Sequence, residues 1–292
     1  MMKIDAHVHL WKKQEGHVNG KPVLHIGGGC CDFGGEHRQM MPPYMEDGEN
    51  TVERFISNMD YAGINGAVIT QESIDGNQDE YLLQAKQHYP ERIKICSLYE
   101  ENEEYQTEGY DGIKICAGRL QSMNLEDLVP VFKEAERKHK FLSIDLAEGD
   151  RQVGAMKEII QECPDLRIAI GHFGMVTKEG WQEQIKLARN KKVYIESGGI
   201  TWLFHREFYP YPSAMDAIAE AGELCGMDKL MWGSDYPRTM VAITYRMSQD
   251  YVVKSNRITE EAKRRFLGEN AMRFYDFAQM EELPYRKDML ED

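Results

Sequence analysis

Lys3-Ile4-Asp5-Ala6-His7-Val8-His9-Leu10-Trp11 is the stretch from which the fold is read. In an extended segment residues two apart face the same side, so His7 and His9 aim two imidazoles into one space. A strand thereby offers two metal ligands, or two neutral donor and acceptor rings, without a loop to position them. Two later runs end in the same manner, with one polar residue beside a glycine. They are Ile170-Gly171-His172-Phe173-Gly174 and Trp232-Gly233-Ser234-Asp235-Tyr236-Pro237.

Between these landmarks the chain alternates. Asn50 with Glu53 three residues on is a helix-start signal, and Val52, Phe55, Ile56 and Met59 form an apolar face that stops at Gly63. The strand-like run 66–71 follows, then a helix over about 77–89 and a strand over 93–98. Further strands are read at 112–116, 141–146, 166–170, 193–196 and 229–232, with helices over about 124–138 and 152–163. Eight short β-branched strands, most followed by helices, predict a parallel sheet closed into a single (β/α)8 TIM barrel of α/β class over residues 1–292. Residues 12–48 read as one long irregular loop after the first strand, acting as a lid. His25, Cys30, Cys31 and His37 in it match no paired-ligand spacing, so loop packing is favoured over a zinc site there. Residues from about 280 to 292 read as an acidic C-terminal extension.

Acidic side chains outnumber basic ones by 49 to 35, a net charge of -14, which argues against nucleic acid or an anionic membrane as partner. A small molecule is the expected partner. An anionic one needs locally placed cations. The start of the chain is polar, and no stretch is long enough to span a bilayer, so a cytoplasmic protein is expected. Cys96, Cys116, Cys163 and Cys225 lie inside predicted elements and read as reduced thiols, whereas Cys30 and Cys31 stay open. A homo-oligomer also stays open, since no uninterrupted apolar face stands out from the core pattern.

In a barrel of this kind the reactive groups gather at the C-terminal ends of the strands. That rim collects His7, His9, Gln71, Glu72, Lys114, Asp145, His172, Glu196 and Asp235. Arg119 and Arg238, just beyond the fourth and eighth strands, are candidate clamps for a substrate anion. Trp202, His205, Tyr209 and Tyr211 follow the seventh strand and offer a surface on which a ring could stack; a packed aromatic loop is the alternative. Glu36, His37 and Arg38 are residues that a closing lid would bring to substrate.

Taken together, Asp-Ala-His-Val-His, Gly-His-Phe-Gly, Gly-Ser-Asp-Tyr-Pro and the late Gly-Glu-Asn-Ala resemble the amidohydrolase superfamily, most of all its amidohydrolase-related (type 2) branch. The resemblance implies that His7, His9 and Asp235 hold a divalent metal, zinc or manganese, that Asp235 handles protons, and that His172 polarises the substrate. Decarboxylases of the family place a further histidine at the end of the fifth strand, where this chain has Asp145. That departure makes the chain look more like the sugar-lactone and pyrone-dicarboxylate lactonases, some of which work without a tightly held metal.

These residues lead to an expected hydrolase that opens a small carboxylated lactone. Asp235 is its general base and acid, on the expectation that burial raises its pKa. His172 is the second catalytic residue. His37, Arg38, Lys114, Arg119, Glu196, Trp202 and Arg238 are the expected substrate-binding set. The alternatives are a metal-dependent decarboxylase of a small aromatic or muconate-type acid, and a barrel that binds a ligand without turning it over.

Overall fold

A computed structural model describes residues 1–278 and, beyond them, 280, 283, 284, 287 and 289. The extension expected over about 280–292 therefore falls largely outside the described residues. Twelve strands are formed among the described residues. Eight of them, β1 (Ile4–Val8), β6 (Gly66–Ile69), β7 (Ile93–Leu98), β8 (Gly112–Ile115), β9 (Phe141–Ile144), β10 (Ile168–Ile170), β11 (Val193–Glu196) and β12 (Leu230–Met231), pair in that order into one parallel sheet. Nearly every residue in them is buried, as expected of strands covered on both faces. The ends of the sheet meet where Val8 bridges Tyr236 and the Ala6 amide donates to the Trp232 carbonyl at 2.9 Å, so the sheet curls into a (β/α)8 barrel.

The helices between the strands follow the apolar periodicity. Val52, Phe55, Ile56, Met59 and Ala62 are the buried face of the helix Val52–Ala62, and Gly63 ends it at a φ of 66°. Asn50 does not cap that helix as its spacing with Glu53 suggests; its side-chain Nδ2 donates to the His9 carbonyl at 2.6 Å instead. Asp79–His88, Val129–Arg137 and Val153–Glu162 lie within the predicted helical spans. The connection from β7 to β8 contains turns and bends in place of a helix.

Residues 12–48 correct the expectation of an irregular loop. They contain β2 (Glu15–Val18), β3 (Lys21–Gly27), β4 (Cys30–Phe33) and β5 (His37–Gln39), a four-stranded antiparallel sheet in sequential order. Asn19 and Gly20, at φ of 51° and 74°, make the first hairpin turn, and Gly28–Gly29 and Gly34–Gly35 serve the next two. One face of this sheet packs Val23 and Cys31 against Trp11, Met41, Met45 and Ile74, while Leu24 and Ile26 face outward. All six cysteines are free, Cys96, Cys116 and Cys163 buried and Cys225 partly exposed. Among the described residues no helix is long and apolar enough to cross a membrane.

Candidate active site

The pairing of β1 with β6 slips between Asp5 and Val8, so that β1 spends three residues where β6 spends two. A bulge of this kind re-aims a side chain, and it falls at Ala6 and His7. The two imidazoles arrive with their Nε2 atoms 3.0 Å apart. Asp235 follows β12 in a left-handed conformation, φ 60°, and brings its Oδ1 to 2.9 Å from His9 Nε2 and 3.9 Å from His7 Nε2. Asp5 holds this seam together. Its carboxylate, fully buried, accepts from the Ser234 amide, the Ser234 hydroxyl, the Tyr245 hydroxyl and the His7 amide. Burial lifts its pKa to about 6 in spite of the hydrogen bonds from Ser234 and Tyr245.

His7 Nδ1 stands 2.8 Å from Glu196 Oε1. A carboxylate only accepts, so Nδ1 carries the hydrogen and the Nε2 lone pair is left to face His9 and Asp235. Glu196 also accepts from the His172 amide at 3.2 Å and the Gly198 amide at 2.6 Å. Three glycines make room for it: a Cβ on Gly171, Gly198 or Gly233 would press on its carboxylate at 2.6, 2.8 and 2.8 Å. Glu196, expected to bind substrate, is thus bonded to His7 and to two backbone amides.

On the other side of His7, its ring centroid 4.8 Å away, lies His172. His172 Nδ1 is 3.0 Å from Asp145 Oδ1, and Lys114 Nζ is 2.7 Å from Asp145 Oδ2. Asp145, which stands where the sequence resemblance implies a histidine in the family's decarboxylases, is thus taken up by two cations. Lys114, expected to bind substrate, is fully buried in that ion pair. Burial disfavours the charged form of His172, yet the charge and hydrogen bond of Asp145 outweigh it and lift its pKa to about 9. His172 is an imidazolium at neutral pH.

Asp235 behaves differently from the sequence-based expectation. Burial favours its neutral form, but the contact with His9 and the charge of Arg238 outweigh burial and hold it below the ordinary carboxylate range. It is ionised, and Trp202 Nε1 donates to its Oδ2 at 2.5 Å. Trp202 is therefore bonded to the acid and does not simply offer a stacking face. His9 is pushed the other way, to about 3, by burial and by Arg238.

Of the two arginines, Arg238 is the more enclosed, its side chain 12% exposed. Its Nη2 lies 2.9 and 3.0 Å from the Asp75 oxygens and 3.2 Å from Glu72, with Nη1 3.9 Å from Asp235. Arg119 is half exposed at the mouth and pairs with Glu72 at 2.6 Å. Gln71 donates to Asp79 and to the Cys96 carbonyl, a structural tie. His37 and Arg38 stay on the exposed outer strand β5, where Arg38 pairs with Glu36 at 3.0 Å and lies over Phe33. The structure does not bring them to the other site residues. His205 is exposed, while Tyr211 is packed in the core. Asp75 and Asp5 belong to the site's framework and were passed over by motif reading; Asp5 had a signal, its place in Asp-Ala-His-Val-His.

His7 Nε2, His9 Nε2 and Asp235 Oδ1 converge within 4.8 Å of one another. Asp235 Oδ1 and His9 Nδ1 are buried without a well-directed hydrogen bond. Two imidazole nitrogens and a carboxylate oxygen without a well-directed hydrogen bond suit one divalent cation with an open position for water or substrate. The donor set fits the ion that the sequence resemblance implies.

The amidohydrolase family model matches residues 4–277. Among solved structures, the chain is similar to a probable 2-pyrone-4,6-dicarboxylic acid hydrolase of Acinetobacter baumannii with citric acid bound, at 20% identity and a TM-score of 0.69, covering 95% of this chain and 100% of that one. An amidohydrolase of Burkholderia multivorans with bound zinc gives 14% identity and a TM-score of 0.69, with coverage of 95% and 100%. The 5-carboxyvanillate decarboxylase of Sphingomonas paucimobilis gives 15% and 0.56, with coverage of 79% and 84%. No match is found among curated protein sequences.

Proposed function

The chain belongs to the amidohydrolase family, an enzyme family, and from that premise we propose that it hydrolyses a small carboxylated lactone with one divalent cation, zinc or manganese, held by His7, His9 and Asp235. The observation that carries this reading is the arrangement around His7: the Asp235 carboxylate on one side and His172, ion-paired with Asp145, on the other. Ester hydrolysis needs such a pair, a base for the water and a cation for the oxyanion.

Bound there, the ion would supply Lewis-acid polarisation of the ester carbonyl and acidify a water. Asp235 accepts the proton of the attacking water as its oxygen bonds to the lactone carbonyl carbon. His172 stabilises the negative charge that develops on the carbonyl oxygen, and Trp202 keeps the Asp235 carboxylate turned toward the site. The ring C–O bond then breaks, Asp235 returns the proton to the departing alkoxide, and the product is an open hydroxy acid. Arg119, half exposed beside Glu72, is the cation best placed at the mouth for a substrate carboxylate.

Bearing on the decarboxylase alternative, Asp145 is consumed by Lys114 and His172, which leaves no ligand at the end of β9. The reading is tested with a panel of sugar-acid and aromatic-acid lactones, following ring-opened acid and carbon dioxide together. Ring-opened acid is expected. Carbon dioxide from aromatic acids, with the lactones untouched, would overturn it.

A further inference from the structure

Asp75 lies in the loop after β6, buried, and connects parts of the molecule that the mechanism treats separately. Both of its oxygens accept from Arg238 Nη2, and Oδ1 also accepts from Gln14 Nε2 at 3.1 Å. Oδ2 stands 3.4 Å from His9 Nδ1, the ring nitrogen that has no well-directed hydrogen bond of its own. Gln14 leads into β2, and its own oxygen accepts from Cys31 Sγ in β4 at 2.9 Å.

The loop is also fastened to the small sheet by backbone. The His17 amide donates to the Ser73 carbonyl at 2.8 Å, the Glu15 amide lies 3.4 Å from the Asp75 carbonyl, and Gln78 Nε2 donates to the Lys13 carbonyl at 3.0 Å. The two backbones approach so closely that a Cβ on Gly16 would overlap the carbonyls of Ser73 and Ile74, and one on Gly76 would overlap that of Glu15. Only glycine permits that contact.

We propose that Asp75 is a positioning residue for His9 and Arg238, and that the four-stranded sheet of residues 15–39 is the template that fixes Asp75. The sheet thus sets the orientation of a site imidazole from outside the barrel. A group that orients a ligating imidazole through its second nitrogen typically alters metal affinity by about 10–100-fold when replaced.

The test compares the wild-type chain with Asp75→Asn and Gln14→Leu, read by the ¹⁵N signals of the His9 ring and by zinc affinity in competition with a chromophoric chelator. Zinc affinity rests on the reading of the site given above; the ring signals do not. Asp75→Asn is expected to shift the His9 signals and weaken zinc by about tenfold or more. Gln14→Leu, which leaves every site carboxylate in place, should move both in the same direction by a smaller amount, about threefold in affinity. A folded Asp75→Asn chain with wild-type His9 signals and wild-type zinc affinity would overturn the proposal. Should Asp75→Asn not fold, Gln14→Leu decides on the same two readouts. Should the wild type bind no zinc, the metal reading falls, and the His9 ring signals alone decide the positioning role.

Discussion

His9 and His172 flank the same imidazole, that of His7, and are both largely buried, yet they are driven to opposite charge states. His172 is lifted to about 9 and His9 lowered to about 3. Burial disfavours the charged form of both. At His172 the charge and hydrogen bond of Asp145 outweigh burial, whereas at His9 burial together with the charge of Arg238 outweighs the opposing pull of Asp235. One side of the mouth thereby carries a charged imidazole, and the other sets two imidazole nitrogens beside the Asp235 carboxylate.

The strongest way to break that comparison is to remove the acid that stands nearest the paired Nε2 atoms of His7 and His9. Asp235→Asn should lower turnover by about a thousandfold or more with the fold intact, as measured by steady-state rates and circular dichroism. Near-normal turnover would mean that the protons pass elsewhere. On the cationic side, Asp145→Asn removes what keeps His172 charged. The variant's rate should fall on the alkaline side at a lower pH than the wild type's, read from pH–rate profiles.

The same substitution has a consequence for stability. His172 has a folded pKa above its unfolded value, so its contribution is fully present below about 6.5 and is lost as pH rises through about 9. Denaturant unfolding of the wild type should therefore weaken between those pH values, and Asp145→Asn should flatten that dependence. Asp145 itself is held well below 3.8, so its share is present above that value and is lost in acid.

Gly171→Ala sharpens the comparison from the middle, since its Cβ would overlap Asp145 and stand 2.6 Å from Glu196. It should destabilise the chain by about 1–3 kcal/mol in urea unfolding and disturb both histidine partners at once. Arg119→Ala, at the exposed edge, should raise KM by about tenfold with little change in kcat, the mark of lost ground-state binding. The smallest effect is expected of Arg38→Ala, which removes an exposed pair with Glu36 and should leave kinetics near wild type.

How much of this was legible in sequence depended on how local the signal was. The barrel strands could be read because each is a short β-branched run buried on both faces, and His7, His9, His172 and Asp235 could be read because each ends such a run. The small sheet was harder: its strands are three to seven residues long and mix polar with apolar positions. Asn19-Gly20 is the local hairpin signal in that stretch, and the reading of residues 12–48 as a loop did not use it. The roles of Glu196, Lys114 and Arg238 were not legible at all, because each is decided by a partner from another strand or loop. The same holds for the direction in which Asp235 is shifted, since burial and charge oppose each other there and only distances tell which wins.

The central claim is that His7, His9 and Asp235 hold an ion that lactone hydrolysis needs. It is tested most directly by following proton release from a carboxylated lactone, with the chain as purified, after a strong chelator, and after zinc or manganese is restored. Hydrolysis should be lost on chelation and recovered with the ion. Hydrolysis that continues unchanged through chelation, with no zinc or manganese left on the protein, would contradict the claim.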